Sequence, residues 1–461
     1  MSEMRTVAHA AVGLTLLATA CGPVEPPPAP DLLITSVRVV DVQRGLTSPP
    51  SDLSVRAGRI QSIDPPGQGP PTDSATQVLD GDGLFAMPGL HDMHSHLWNR
   101  SQLADTYLQN GITSVRDMGG AQDNWATWQA EADSIPVPRA LNAGWIVDGL
   151  QSVSFFFTEA RSAEAARARV DELQGSGADF IKVYSRLTPE AFSAIATRAR
   201  ELGLGFSGHV PYAVPASRAL REGMGSIEHF TGVALECSSR ESDIRRRIEE
   251  LLAPLQADSV DASLLSAPLQ EAYRLERWEA LDDYDPSECA DLMQAFESGE
   301  VWVTPTLVVA GDGPEAKLSR VEPHLSSWPE WMHGMMRPQS SEPVLETPER
   351  IATLRQMFSE LDALGVRWLA GSDAPNPGSA PGVGLHHELE LLVDFGLTPL
   401  RALQAATLHA AQFEGRADES GSLTVGKDAD IVLSTGDPLE NITNTQSIQA
   451  VILRGRVVAR P

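Results

Sequence analysis

Lysine is almost missing from this chain: of its 35 basic residues only three, Lys182, Lys317 and Lys427, are lysines. Basic residues as a whole are outnumbered by 62 acidic ones, for a formal net charge of −27. That balance disfavours nucleic acid and anionic membrane surfaces as partners. Cysteine is equally scarce, at three in 461 residues, so beyond Cys21 there is one internal pair at most, Cys237 and Cys289. Nor is there an apolar run of spanning length, since the longest candidate, Val7 to Ala20, has only 14 residues. What remains is enough chain to bury a large core, in a size range where barrels form one domain.

The N-terminus carries an export signature. The short apolar stretch follows Arg5 and ends in Leu17-Ala18-Thr19-Ala20-Cys21, where Ala18 and Ala20 satisfy the small-x-small cleavage pattern. Cys21, then Gly22 and a Pro-rich stretch to Pro30, resembles a bacterial lipoprotein start. The expectation is a signal peptide over 1–20, with a lipidated Cys21 and an extended tether over 21–30. The membrane is then met only through the lipid anchor, and the protein works in the cell envelope, facing the outer membrane or periplasm. Ala18 stands where such starts usually have leucine, and simple secretion with Cys21 as a free thiol is the alternative.

Chemistry gathers first at His94-Ser95-His96, which follows the apolar run Leu84 to Leu90. Residues two apart on a strand face the same way, so two imidazoles there form a bidentate metal clamp. Four further residues stand at or near the end of strand-like segments: Lys182, His209, His229 and Asp373. Helical patterns over Pro189–Leu202 and Val214–Glu222 separate three of them, and strands alternating with helices argue for βαβ units. In a (β/α)8 barrel, chemistry collects at the C-terminal strand ends.

Lys182 is the lysine lodged in an apolar segment, Phe180-Ile181-Lys182-Val183, where a bare ammonium is costly to desolvate. An amine with a depressed pKa can take up carbon dioxide as a carbamate, a two-oxygen anionic ligand, and arginine cannot replace it. A lysine snorkelling from the strand end, or paired with Asp179, is the plainer alternative.

With these residues in place, the chain resembles the amidohydrolase superfamily, in its binuclear-metal branch with a carboxylated lysine. The likeness runs from about Asp31 to the C-terminus, through Pro88-Gly89-Leu90-His91-Asp92-Met93-His94-Ser95-His96, Gly208-His209-Val210, Ser226-Ile227-Glu228-His229 and Gly371-Ser372-Asp373-Ala374. Gly111 to Gly120 points more narrowly to the imidazolonepropionase-related and prolidase-like group. The resemblance implies a (β/α)8 barrel over 86–414 with a helical insertion at about 235–300. It also implies a small β-sandwich built from both chain ends, 31–85 and 415–461. His94, His96 and Asp373 would hold one divalent ion and His209 and His229 a second, zinc being favoured, with carboxylated Lys182 between them. Asp373 would serve as general base and acid to a metal-activated hydroxide, and Tyr184 would polarise the substrate carbonyl, unless it is a packed core tyrosine.

The expected reaction is hydrolysis of an amide in a small substrate, such as a dipeptide or N-acyl amino acid. The same centre would suit a lactone or phosphotriester hydrolase, and an inherited barrel could also serve as a non-catalytic metal- or ligand-binding surface lipoprotein. A mononuclear variant with Lys182 uncarboxylated is a further alternative. The Gly-Gly-His segment of many prolidase-like relatives is absent from Leu141–Gly149, so no substrate residue is carried over from it. His386, after the eighth strand, is a candidate for substrate contact. Export permits a Cys237–Cys289 disulfide across the insertion, with two free thiols as the alternative. A homo-oligomer is compatible with the sequence.

Overall fold

The computed structural model describes residues 27–97, 100–120, 128, 135–149, 156–256, 266–298, 301–328, 330–337 and 346–460. The expected signal peptide, Cys21 and most of the tether lie outside the described residues. Five strands open the chain: β1 (Leu32–Asp41), β2 (Leu46–Arg56), β3 (Arg59–Asp64), β4 (Gln77–Asp80) and β5 (Phe85–Pro88). Ten follow with helices interspersed: β6 (Leu90–Ser95), β7 (Ile112–Asp117), β8 (Arg139–Asn142), β9 (Ile146–Asp148), β10 (Phe157–Glu159), β11 (Phe180–Val183), β12 (Gly205–Gly208), β13 (Ser226–Glu228), β14 (Trp302–Thr304) and β15 (Arg367–Trp368). β16 (Ile431–Ser434), β17 (Ile448–Leu453) and β18 (Arg456–Ala459) end the chain.

Both chain ends build one mixed sheet in the order β18-β17-β16-β5-β1-β2-β3, with β4 also on β1. Period-two burial explains its core, and a register shift explains a change of parity. Leu32 and Ile34 face Leu53, Val55, Ile431 and Ile452; after the irregularity between Ile34 and Val37, the odd-numbered Val37 and Val39 take over that face. Val40 and Val42 then fall on the opposite side, in the main core of the protein.

The middle strands form two parallel sheets, β6-β7-β8 and β10-β9-β11-β12-β13-β14-β15. Backbone hydrogen bonds run between them at both ends, Asp179 N to Asn142 O (2.8 Å) on one side and Met93 N to Ala370 O (2.9 Å) on the other. The helix Pro189–Leu202 shows why such crossovers are legible. Thr188 caps it by accepting from Ala191 N, Pro189 occupies its first turn, and Gly203 ends it in the left-handed region at φ 70°. Its buried stripe, Phe192, Ile195, Ala196 and Ala199, packs on the sheet.

Two expectations need correcting here. The apolar run Leu84–Leu90 is two strands in two sheets: β5 pairs with β1 and β16, whereas β6 pairs with β7. The change falls at Gly89, where an added Cβ would lie 2.2 Å from Thr113 Oγ1, so only glycine lets the backbones approach this closely. The terminal sheet therefore runs to Pro88 rather than to residue 85.

Between β13 and β14 the chain makes a helical excursion, including Glu241–Leu252, Ser266–Arg274, a π-helical turn at Leu275–Glu279, and Ala290–Ser298. Cys237 and Cys289 are joined by a disulfide that closes a separation of 52 residues. A loop of that length makes the bridge worth about 4 kcal/mol in the chain-entropy account. Mild reduction, or Cys289→Ser, should lower the melting temperature by several degrees or more; an unchanged melt would show that the bridge does not constrain the unfolded chain.

Candidate metal centre

The parallel strands bring all six predicted residues to their C-terminal ends. His94 lies in β6 and His96 just beyond it, Lys182 lies in β11, His209 and His229 directly follow β12 and β13, and Asp373 follows β15. Neighbouring strands fix each backbone: His209 N donates to Val183 O (3.0 Å), His229 N to Thr304 O (2.9 Å) and Asp373 N to His94 O (2.6 Å). His229 and Asp373 are held at φ 59° and 51°, a region L-residues visit at a cost of roughly 1–3 kcal/mol and one that clusters at functional sites. Gly371 allows the approach of the last strand, since a Cβ there would lie 2.6 Å from the Cβ of His94.

Asp373 Oδ1 stands 3.4 Å from His94 Nε2 and 3.2 Å from His96 Nε2, and its Oδ2 stands 3.8 Å from His229 Nδ1. The rings of His94 and His229 are 4.5 Å apart, and those of His209 and His229 are 4.9 Å apart. Each imidazole has its Nδ1 held from behind: His94 by Glu228 Oε2 (2.7 Å), His96 by the Gly119 carbonyl (2.9 Å), His209 by Ser185 Oγ (2.9 Å) and His229 by Thr306 Oγ1 (2.6 Å). Because Thr306 spends its own proton on Pro305 O (2.8 Å), it accepts from His229. A ring that donates from Nδ1 offers a lone pair at Nε2, the arrangement found behind metal-binding histidines.

The residues fit a divalent ion. Among the described residues, His94 Nε2 is buried with no hydrogen-bond partner. Ligand atoms of His94, His96 and Asp373 all lie within 4.8 Å of one another. Burial pushes His94, His209 and His229 well below the ordinary imidazole range, which keeps them neutral and able to ligate. Burial also pulls on His96, but its hydrogen bond to Asp373 and the charge of that carboxylate outweigh it and raise the ring. A cation would replace the proton that His96 then holds. Lys182 is buried, and desolvation lowers it to about 8 despite the nearby Glu228 and Asp373. Roughly a tenth is then free amine at neutral pH, far more than for an ordinary lysine, and that is the form that reacts with carbon dioxide.

Tyr184 stacks on His209 with ring centres 4.0 Å apart and meets Phe157 edge-on at 5.0 Å, so it borders the centre. His386 does not. It is buried in the helix Val383–Asp394, with Nδ1 on Thr445 Oγ1 (2.9 Å) and Nε2 on the Asn110 carbonyl (3.0 Å). One ring nitrogen ties this helix to the C-terminal region and the other to the residue after the helix Arg100–Gln109, which leaves none for a substrate.

The sequence reading missed the layer beneath the ligands. Arg116 is wholly buried and donates to Met93 O (2.6 Å), Ser226 Oγ (3.0 Å), Glu228 Oε1 (2.9 Å) and Thr304 Oγ1 (3.1 Å). Glu228 thus joins Arg116 to His94. Asp92, raised to about 6 by burial, accepts from Ser372 N (2.9 Å) and Ser372 Oγ (2.6 Å), which tethers the segment carrying Asp373. A partial signal was available: Arg116 and Glu228, like Lys182, are charged residues within strand segments.

The amidohydrolase family model matches residues 344–458, which include Asp373. An imidazolonepropionase of Symbiobacterium thermophilum is 26% identical over 436 residues, covering 89% of this chain and 90% of that protein. Among solved structures, a bottromycin amidohydrolase superposes with a TM-score of 0.65 at 24% identity, covering 92% of this chain and 86% of the other. A Xaa-Pro dipeptidase with bound methionine in its active site gives 0.62 at 18% identity, covering 93% and 100%. The structural likenesses speak for the fold, while the family match and the full-length relative speak for descent. The chain thus carries an amidohydrolase family match over residues 344–458 and a full-length likeness to an imidazolonepropionase, and is a hydrolase of carbon–nitrogen bonds.

Proposed function

We propose that this protein is a two-metal amidohydrolase of the cell envelope that cleaves the amide bond of a small substrate, a dipeptide or N-acyl amino acid. The observation that carries the reading is the set of imidazoles held at Nδ1 around the Asp373 carboxylate. Hydrogen bonding between the two parallel sheets at both ends supports their being one closed (β/α)8 barrel, with the terminal sheet as a small sandwich beside it. The Cys237–Cys289 bridge and the leader-like start support an oxidising compartment.

His94, His96 and Asp373 would hold one ion and His209 and His229 the other, with carboxylated Lys182 shared between them. When bound, such a pair activates water and polarises a carbonyl near neutral pH. Asp373 takes the proton released from water and delivers it to the leaving nitrogen. Tyr184, fixed against His209, presents its phenol to the carbonyl oxygen; burial pushes that phenol up, which keeps it a donor.

The test is metal content by elemental mass spectrometry on protein purified with bicarbonate and without chelators, for wild type and Lys182→Ala. A panel of dipeptides, N-acyl amino acids, lactones and phosphotriesters is assayed alongside. Close to two divalent ions per chain and turnover of amides are expected. Lys182→Ala should lose metal and activity, with partial rescue by a short carboxylic acid. A single ion with full activity in Lys182→Ala would remove the carbamate. Turnover of lactones or phosphotriesters alone would overturn the amide reading, and no metal after zinc reconstitution would point to a binding protein.

A further inference from the structure

The excursion between β13 and β14 is rich in arginines, and nearly all are neutralised. Arg240 pairs with Asp243 (3.0 Å), Arg245 with Glu241 (2.7 Å), Arg246 with Glu250 (2.8 Å), Arg274 with Glu271 (2.7 Å), and Arg247 with Glu279. Arg277 is the exception: among the described residues it has no carboxylate partner and no hydrogen bond. Its guanidinium instead lies 5.6 Å from the Tyr273 ring centre and 5.7 Å from that of Trp278.

Its position is unusual in another way. Arg277 sits on the π-helical turn Leu275–Glu279, a geometry frequent at functional sites. That turn is anchored by Glu276, whose buried carboxylate accepts from Gly232 N at 2.5 Å, three residues after His229. Arg277 and Trp278 line one small cavity together with His229 and Phe230. The charge of Arg277 is felt by His209, His229 and Tyr273, and Tyr273 also feels that of Asp373. An unpaired, partly buried guanidinium thus faces residues that would already hold cations. Without a carboxylate of its own, that guanidinium is open to an anion that arrives with the substrate.

Building on the amide-hydrolase reading, we propose that Arg277 receives the free carboxylate of the substrate, making the protein selective for N-acyl amino acids and dipeptides over their neutral carboxamides. The planar guanidinium matches a carboxylate with two parallel hydrogen bonds, and the buried Trp278 ring shields one side of the pair. The carboxylate of such a substrate is one carbon from the scissile nitrogen, so anchoring it sets the amide against Asp373 and Tyr184.

The experiment compares N-acetyl-alanine, -leucine, -phenylalanine and -proline with their carboxamides on the zinc-loaded full chain, as wild type, Arg277→Gln and Arg277→Lys. Wild type should prefer the acids, and Arg277→Gln should shrink the ratio of kcat/KM between acid and carboxamide by roughly 10- to 100-fold, mostly through KM. Arg277→Lys should recover part of it. A ratio unchanged in Arg277→Gln, or wild type that treats acid and carboxamide alike, would overturn the proposal; the second outcome needs no folded variant. If wild type hydrolyses none of these and no dipeptide either, the amide reading fails, but calorimetry of the same acids still judges Arg277. Binding weakened in Arg277→Gln supports it; equal or absent binding rejects it.

Discussion

Asp373→Asn is expected to lower kcat by roughly three to four orders of magnitude, the upper range for losing a positioned proton-transfer group, while leaving the fold intact. Asparagine suits the backbone here, because Asp373 is held at φ 51° and Asn is among the residues that best tolerate the left-handed region. The main-chain bonds to His94 O (2.6 Å) and from Asn376 Nδ2 (2.7 Å) do not depend on the side chain. What is lost is charge and basicity at an oxygen facing both His94 and His96. Thermal melting should therefore stay within a few degrees of wild type while turnover collapses. In the metal-free protein His96 should also titrate lower than before, because its hydrogen bond to this carboxylate and the carboxylate's charge offset burial. Turnover within tenfold of wild type would assign the proton transfer to another group.

The centre was legible in the sequence because its members obey strand-end logic one at a time. His94-Ser95-His96 shows its spacing directly, and Lys182 stands out as a charge in an apolar strand. The helix Pro189–Leu202 could be read to its ends because Thr188, Pro189 and Gly203 mark them locally. The unread features depend on contacts between segments far apart. Nothing within Leu84–Leu90 says that Gly89 divides two sheets; the reason is Thr113, more than twenty residues on. Ala450–Val458 is a hairpin turning at Arg454 and Gly455, with φ of 49° and 77°. Arg-Gly lacks the Asn-Gly or Asp-Gly signal that such a turn usually carries. His386 looked available because it follows the eighth strand, and its real partners, Thr445 and Asn110, are distant in sequence.

The layer under the ligands gives the other large effect. Glu228→Gln should cost about 3–5 kcal/mol of stability, as breaking a buried ion pair does, and should weaken metal binding roughly 10- to 100-fold, as losing a histidine's supporting partner does. Glu228 accepts from two sides, Arg116 Nη2 at 2.9 Å and His94 Nδ1 at 2.7 Å. A glutamine brings one carbonyl and one NH2 group, so one of those donors must meet another donor. If Arg116 is deprived, a buried guanidinium is left with neutral acceptors only, Met93 O, Ser226 and Thr304. If His94 is deprived, its proton moves to Nε2, and the lone pair that would face the ion is gone. Denaturant unfolding and zinc competition titration measure the two losses separately. A second variant, Arg116→Met with Glu228→Gln, separates their causes. Without the guanidinium no buried charge is stranded and stability should recover in part, because replacing both members of a buried pair is far milder than removing one. The amide can still accept from His94 through its carbonyl once Arg116 no longer competes, so metal affinity should recover as well. Weak metal binding that persists in the double variant would show that the charge on Glu228, rather than the tautomer it selects, holds His94 ready.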